Sequence, residues 1–126
     1  GRLDWILGLF PALRTLWERS AGHLSGGQKQ MLAIARAVIE PRRLILIDEP
    51  SKGLAPVMID SLIEVLAEIK KVATVLLIEQ NLRLAEAVGD DVYVIEDGKT
   101  VHRGDMRGFS GDSDLQNRFL SLGNAA

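Results

Sequence analysis

The chain contains no cysteine among its 126 residues, which excludes a disulfide framework and any thiolate-held metal site. Its two histidines, His23 and His102, have no partners at metal-ligand spacing. Long hydrophobic runs are missing as well. The longest, Leu44 to Ile47 and Val75 to Ile78, fall far short of the roughly 20 residues a membrane-spanning helix needs. There is no excess of positive charge: 15 Lys and Arg face 17 Asp and Glu, a net charge of −2. A nucleic-acid module that relies on a large basic field is thereby excluded. Nothing at the N-terminus has the layout of a signal peptide. The first methionine is Met31, so the chain reads either as a piece of a longer protein or as a short protein of its own. What is present, 47% hydrophobic and 25% charged residues, suits one globular domain with a single core.

Periodicity divides the chain into alternating elements. Leu3 to Arg19 is apolar and interrupted by Pro11, so it predicts a two-piece helix with Leu9, Phe10, Leu13, Leu16 and Trp17 as its buried stripe. Ser20 to Gly27 reads as a loop. Ser25 then suits a helix N-cap, with Gln28 three residues on completing a capping box. The helix expected over Gly26 to Ile39 carries Met31, Ile34, Ala35, Val38 and Ile39 on one face and stops before Pro41. Leu44 to Asp48 and Ala73 to Ile78 predict parallel strands buried on both faces. Between them Pro56 opens a helix with Ile59, Leu62, Ile63, Leu66 and Ile69 inward, up to about Lys71. Asn81 caps a short helix, and Asp97-Gly98 joins the strands Asp91 to Glu96 and Lys99 to His102 in a hairpin. A last helix is expected near Leu115 to Leu122, followed by a small polar end. His23 reads as a loop residue and His102 as solvent-facing. The class is α/β, a mostly parallel sheet with flanking helices, finished by an antiparallel hairpin. A single domain is expected, its residues 1–40 helical and 41–126 the α/β part.

Two features carry chemistry. Leu24-Ser25-Gly26-Gly27-Gln28 opens a helix, where two glycines permit close approach and unpaired N–H groups favour an anion. Read alone, Ser-Gly-Gly is an ordinary capped helix start. The second feature is Leu44 to Glu49, an apolar strand ending in Asp48-Glu49. That places carboxylates at the C-terminal edge of a sheet, where open α/β folds bind ligands. One acid there can support Mg²⁺, and the next can polarise an attacking water. Read alone, a strand ending in two acids is a solvated strand end. The spacing joins them: Asp48 lies 20 residues after Gln28, one helix later.

In that order the two features resemble the signature motif and the Walker B strand of ABC-transporter ATPases. Ser51-Lys52-Gly53-Leu54-Ala55 falls where that family has its D-loop. Asp48-Glu49-Pro50-Ser51, Gly53-Leu54-Ala55-Pro56 and Ile78-Glu79-Gln80-Asn81 are similar to the ATPase subunits of branched-chain amino-acid importers, the LivF type. The resemblance runs from about Phe10 to Gly104. It implies a partial P-loop NTPase fold, with Asp48 as the Mg²⁺-supporting acid and Glu49 as the general base. It implies that Ser25, Gly26, Gly27 and Gln28 face the γ-phosphate of ATP held by the opposite subunit. Gln80 stands where many members have the switch histidine; its amide can still donate to a phosphate oxygen but cannot become charged. The bland alternative for Gln80 is a polar strand end.

No Gly-x-x-x-x-Gly-Lys-Ser/Thr run occurs in these residues, and Gly98-Lys99-Thr100 sits on the hairpin without the earlier glycine. ATP and Mg²⁺ are therefore expected in an intact parent and not as tight ligands of this chain, which is expected not to hydrolyse ATP alone. The resemblance further implies an ATPase subunit in trans, membrane permease subunits as partners, and a place in the cytoplasm at the inner face of the plasma membrane. Without the other strands of such a sheet, self-association of the chain is expected. The alternative is a stand-alone, non-hydrolytic binding or oligomerisation module.

Overall fold

The structure, a computed structural model, describes residues 1–120. They divide into two compact units, the first ending at Leu84 and the second starting at Ala85.

In the first unit, helices α1 (Arg2–Leu9) and α2 (Pro11–Thr15) are the two pieces expected. The break falls at Phe10, because the proline ring pushes the residue before it out of the helical region. Phe10 and Leu13 are buried, but Trp17 lies beyond the end of α2 and is largely exposed, which removes it from the expected stripe. A 3₁₀ turn, Ala21–His23, leads into α3 (Gly26–Val38). Ile34, Ala35 and Val38 bury the inner face of α3, whereas Ile39 ends outside the helix and exposed. Arg2 closes its C-terminal end: the guanidinium donates from Nε and Nη2 to the Val38 carbonyl at 3.2 and 2.9 Å, satisfying an orphan acceptor of the last turn.

Strand β1 (Leu44–Asp48), helix α4 (Pro56–Lys70) and strand β2 (Thr74–Ile78) form a β-α-β unit. The strands pair in parallel, Leu44 opposite Thr74 through Asp48 opposite Ile78. Pro56 occupies the first turn of α4, where its missing N–H is not needed, and α4 buries Ile59, Leu62, Val65, Leu66 and Ile69. Neither strand is buried on both faces as its sequence predicts. Ile45 and Ile47 are buried, while Leu44, Leu46, Leu76 and Ile78 are all more than half exposed. One layer of helix covers one face, so continuous apolar runs end up with the burial pattern of an alternating strand.

The unit boundary falls within α5 (Leu82–Val88), which Asn81 caps by accepting from the Leu84 N–H at 3.1 Å. The second unit holds a separate antiparallel pair, β3 (Asp91–Glu96) and β4 (Lys99–Asp105). Asp97 and Gly98 both take positive φ, 48° and 73°, the geometry of the tight turn their sequence signals. Strand β4 runs three residues past its expected end, with a register shift between Val94 and Ile95. Two short helices follow, α6 (Met106–Gly111) and α7 (Ser113–Leu120). Helix α6 is not predicted by the sequence, because its two glycines mask it. What starts it is Asp105, whose side chain accepts from the Gly108 N–H at 2.7 Å. Helix α7 agrees with the last expected helix, whose final two positions and the polar end lie outside the described residues. His102 is not solvent-facing as expected: its ring packs at a tilt on Phe109 and Phe119, with centroids 5.6 and 5.9 Å away.

Candidate functional site

Ser25 caps α3 in the box its sequence predicts. Its Oγ accepts from the Gln28 N–H at 3.3 Å, and Gln28 Oε1 accepts from the Ser25 N–H at 2.9 Å. The hydroxyl proton of Ser25 is left to donate outward. Lys29 N–H bonds back to the Ser25 carbonyl at 2.9 Å, while the N–H groups of Gly26 and Gly27 precede the first intrahelical partner. The two glycines differ in what they face. A Cβ on Gly27 would lie 3.0 Å from Met58 Cε and 3.5 Å from Leu54 Cδ2, so this residue lets α3 seat against the start of α4. A Cβ on Gly26 would meet nothing within 4 Å. Packing within the chain explains the second glycine and not the first.

The acids stand at the C-terminal edge of the parallel pair. Asp48 ends β1 opposite Ile78 and is exposed. Glu49 follows with a φ of 45°, a left-handed backbone that costs an L side chain about 1–2 kcal/mol. It is held there by its N–H donating to the Ile78 carbonyl at 2.8 Å and its carbonyl accepting from Lys52 N–H at 3.1 Å. Its half-buried carboxylate lies 3.4 Å from Lys52 Nζ. The loop after it turns again at Gly53, with φ 75°.

Glu79 was given no role by the sequence and turns out to organise this edge. Its carboxylate accepts three backbone N–H groups, from Ser51 at 3.2 Å and from Gln80 and Asn81 at 3.0 Å each. Its signals in the sequence were its place in Ile78-Glu79-Gln80-Asn81 and its position just past the second strand, as Glu49 lies just past the first. Gln80 is exposed beside it. Asp48, Glu49, Glu79 and Gln80 therefore share one sheet edge. The Ser25–Gln28 turn is not joined to them by any hydrogen bond or ion pair among the described residues; through Gly27 it lies close to Leu54 of the same loop and to Met58 in the first turn of α4. No cluster of three or more His, Asp or Glu able to hold a metal occurs among the described residues.

Residues 5–52 match the model of the ABC transporter family, a span that holds the capped turn and the strand ending in Asp48-Glu49. The high-affinity branched-chain amino acid transport ATP-binding protein BraG of Pseudomonas aeruginosa is 44% identical over 101 residues, 79% of this chain and 43% of that protein. The chain belongs to the ABC-transporter ATP-binding family. The ATP-binding protein LivF of Archaeoglobus fulgidus is also similar, 36% identical over 107 residues, 82% of this chain and 44% of that protein. The chain thus spans less than half the length of these ABC relatives.

Solved ABC ATP-binding cassettes share its fold. The ADP conformation of one superposes over 94% of this chain and 47% of its own, with a TM-score of 0.75 and 30% identity. A dimeric cassette in a post-hydrolysis state with ADP and Pi matches over 86% of this chain and 47% of its own, with a TM-score of 0.73 and 25% identity. The fold class is that of part of an ABC ATPase, a parallel α/β sheet with an antiparallel hairpin. No helix among the described residues is long and apolar enough to cross a membrane.

Proposed function

We propose that this chain is the C-terminal part of an importer ATPase of the LivF type, which in its intact form couples ATP hydrolysis to uptake of branched-chain amino acids or related solutes. The observation that carries the reading is the first turn of α3. Gly26 has open space where a side chain would fit, beside a Ser25 hydroxyl free to donate and two unpaired N–H groups. A terminal phosphate presented by an opposite subunit is an occupant that needs that space and those donors. Bound ATP and Mg²⁺ would supply an electrophilic phosphorus with its charge partly neutralised. Asp48 offers one exposed carboxylate, which suits a metal held chiefly by phosphate and water. Glu49 takes the proton of the attacking water, and the Gln80 amide donates to a phosphate oxygen. In this reading the partners are membrane permease subunits, and the ATPase is peripheral to them at the inner face of the membrane.

The same reading makes this chain unable to cradle ATP alone, because no lysine-bearing glycine loop is present to hold the other phosphates. Calorimetric titration of the purified chain with ATP, with and without Mg²⁺, should give no micromolar binding, and the chain should show no turnover. Tight binding or hydrolysis would overturn this account.

The second reading is the non-hydrolytic associating module; as in the first reading, the sheet face of Leu44, Leu46, Leu76 and Ile78 is open to water in the single chain. An apolar patch of this kind invites a covering partner, and a second copy is the one present in a pure sample. Sedimentation velocity is expected to show association rising with concentration. A clean monomer at high concentration would count against it.

A further inference from the structure

We propose that Glu79 is a positioning residue that locks the loop after β1 to the residue Gln80 after β2, so that the two ends of the candidate site move as one body. The inference rests on the reading of Glu49 and Gln80 as the hydrolytic residues. The geometry is a three-way clasp. One carboxylate oxygen, Oε2, accepts from the Ser51 N–H at 3.2 Å, while Oε1 accepts from Gln80 and Asn81 N–H at 3.0 Å each. Ser51 is buried, 8% exposed, so its N–H has no ready supply of water in place of Glu79. It lies two residues beyond Glu49, on the loop that holds Glu49 in its left-handed conformation. Across the edge, the Glu49 N–H already bonds to the Ile78 carbonyl at 2.8 Å. The Glu79 clasp is thus a second tie, one residue further out, between the same two strand ends.

A carboxylate suits this arrangement. It accepts at both oxygens and donates nothing, and bonds to a charged acceptor are about twice as strong as neutral ones. A carboxamide has one accepting arm. In Glu79→Gln that arm would stay with the two donors of Gln80 and Asn81, and the NH₂ arm would face the Ser51 N–H. The substitution therefore cuts the clasp on one side and leaves the other.

Two measurements test this separately. In the unaltered chain, amide hydrogen exchange at Ser51 should be as slow as in the middle of α4. In Glu79→Gln, exchange at Ser51 should quicken roughly ten-fold or more, the loss expected of one hydrogen bond to a charged group, with Gln80, Asn81 and the helices little changed. In the intact ATPase the same variant should lower kcat roughly ten-fold and leave KM for ATP within about two-fold, since it disturbs the reacting edge and not the nucleotide grip. Fast exchange at Ser51 in the unaltered chain overturns the proposal without any variant. Unchanged exchange in Glu79→Gln overturns it too, as does normal kcat with Ser51 released. An intact parent with no ATPase activity would instead sink the functional reading, and the exchange data would still decide whether Glu79 ties the loops.

Discussion

Glu49→Gln in the intact ATPase is expected to lower ATP turnover roughly 10²- to 10⁴-fold, the usual worth of a general base, with ATP affinity nearly unchanged. The substitution keeps shape and volume, so the strand end and the loop should stay as they are. It removes the negative charge, and with it the ability to take a proton from water and the ion pair with the exposed Lys52, which is worth little at a surface. The backbone supports the choice of Glu49 over its neighbour Asp48. A left-handed residue other than glycine or asparagine is uncommon, and such residues cluster where geometry serves a reaction. Single-turnover hydrolysis and ATP titration, measured side by side, separate the two effects. A variant with near-normal turnover would remove Glu49 from the mechanism, and one that had lost ATP binding would show that the carboxylate serves structure.

The next largest effect concerns two leucines, one on a helix and one on a strand. Leu66→Ala should destabilise the chain by about 2–5 kcal/mol, the cost of a cavity at a fully packed site; Leu66 is 1% exposed on α4. Leu46→Ala should change stability by no more than about 0.5 kcal/mol, as surface substitutions do, because Leu46 is 67% exposed on β1. Urea unfolding at low protein concentration, where association is suppressed, reads both. Equal losses would mean that the outer face of the sheet is packed in solution.

Local signals account for most of what could be read without coordinates. The capping box of Ser25 and Gln28, Pro56 at the start of α4, Asn81 before α5 and the Asp97-Gly98 turn each depend on contacts within a few residues, and each appears where expected. Burial is another matter, since it depends on what lies across from a side chain. Leu44, Leu46, Leu76 and Ile78 look like core in the sequence and are open to water. His102 looked like a surface residue and packs between two phenylalanines fixed by helices that follow it. Trp17 was placed by periodicity on a helix that stops two residues earlier. For the candidate site, the positions of Asp48, Glu49 and Gln80 followed from strand ends. The part of Glu79 did not, because the bond from Ser51 spans 28 residues and no spacing rule reports it.

The left-handed Glu49 has one more consequence, for how this sequence can change. Glycine would sit in that conformation at no steric cost, so thermal stability taken alone favours losing the acid. A lineage released from the need to hydrolyse ATP would drift toward glycine or asparagine at this position, while one still bound to that need would keep an awkward glutamate. On the proposed role of Glu49 as the base, the residue at position 49 would record whether the edge of the sheet is still in use.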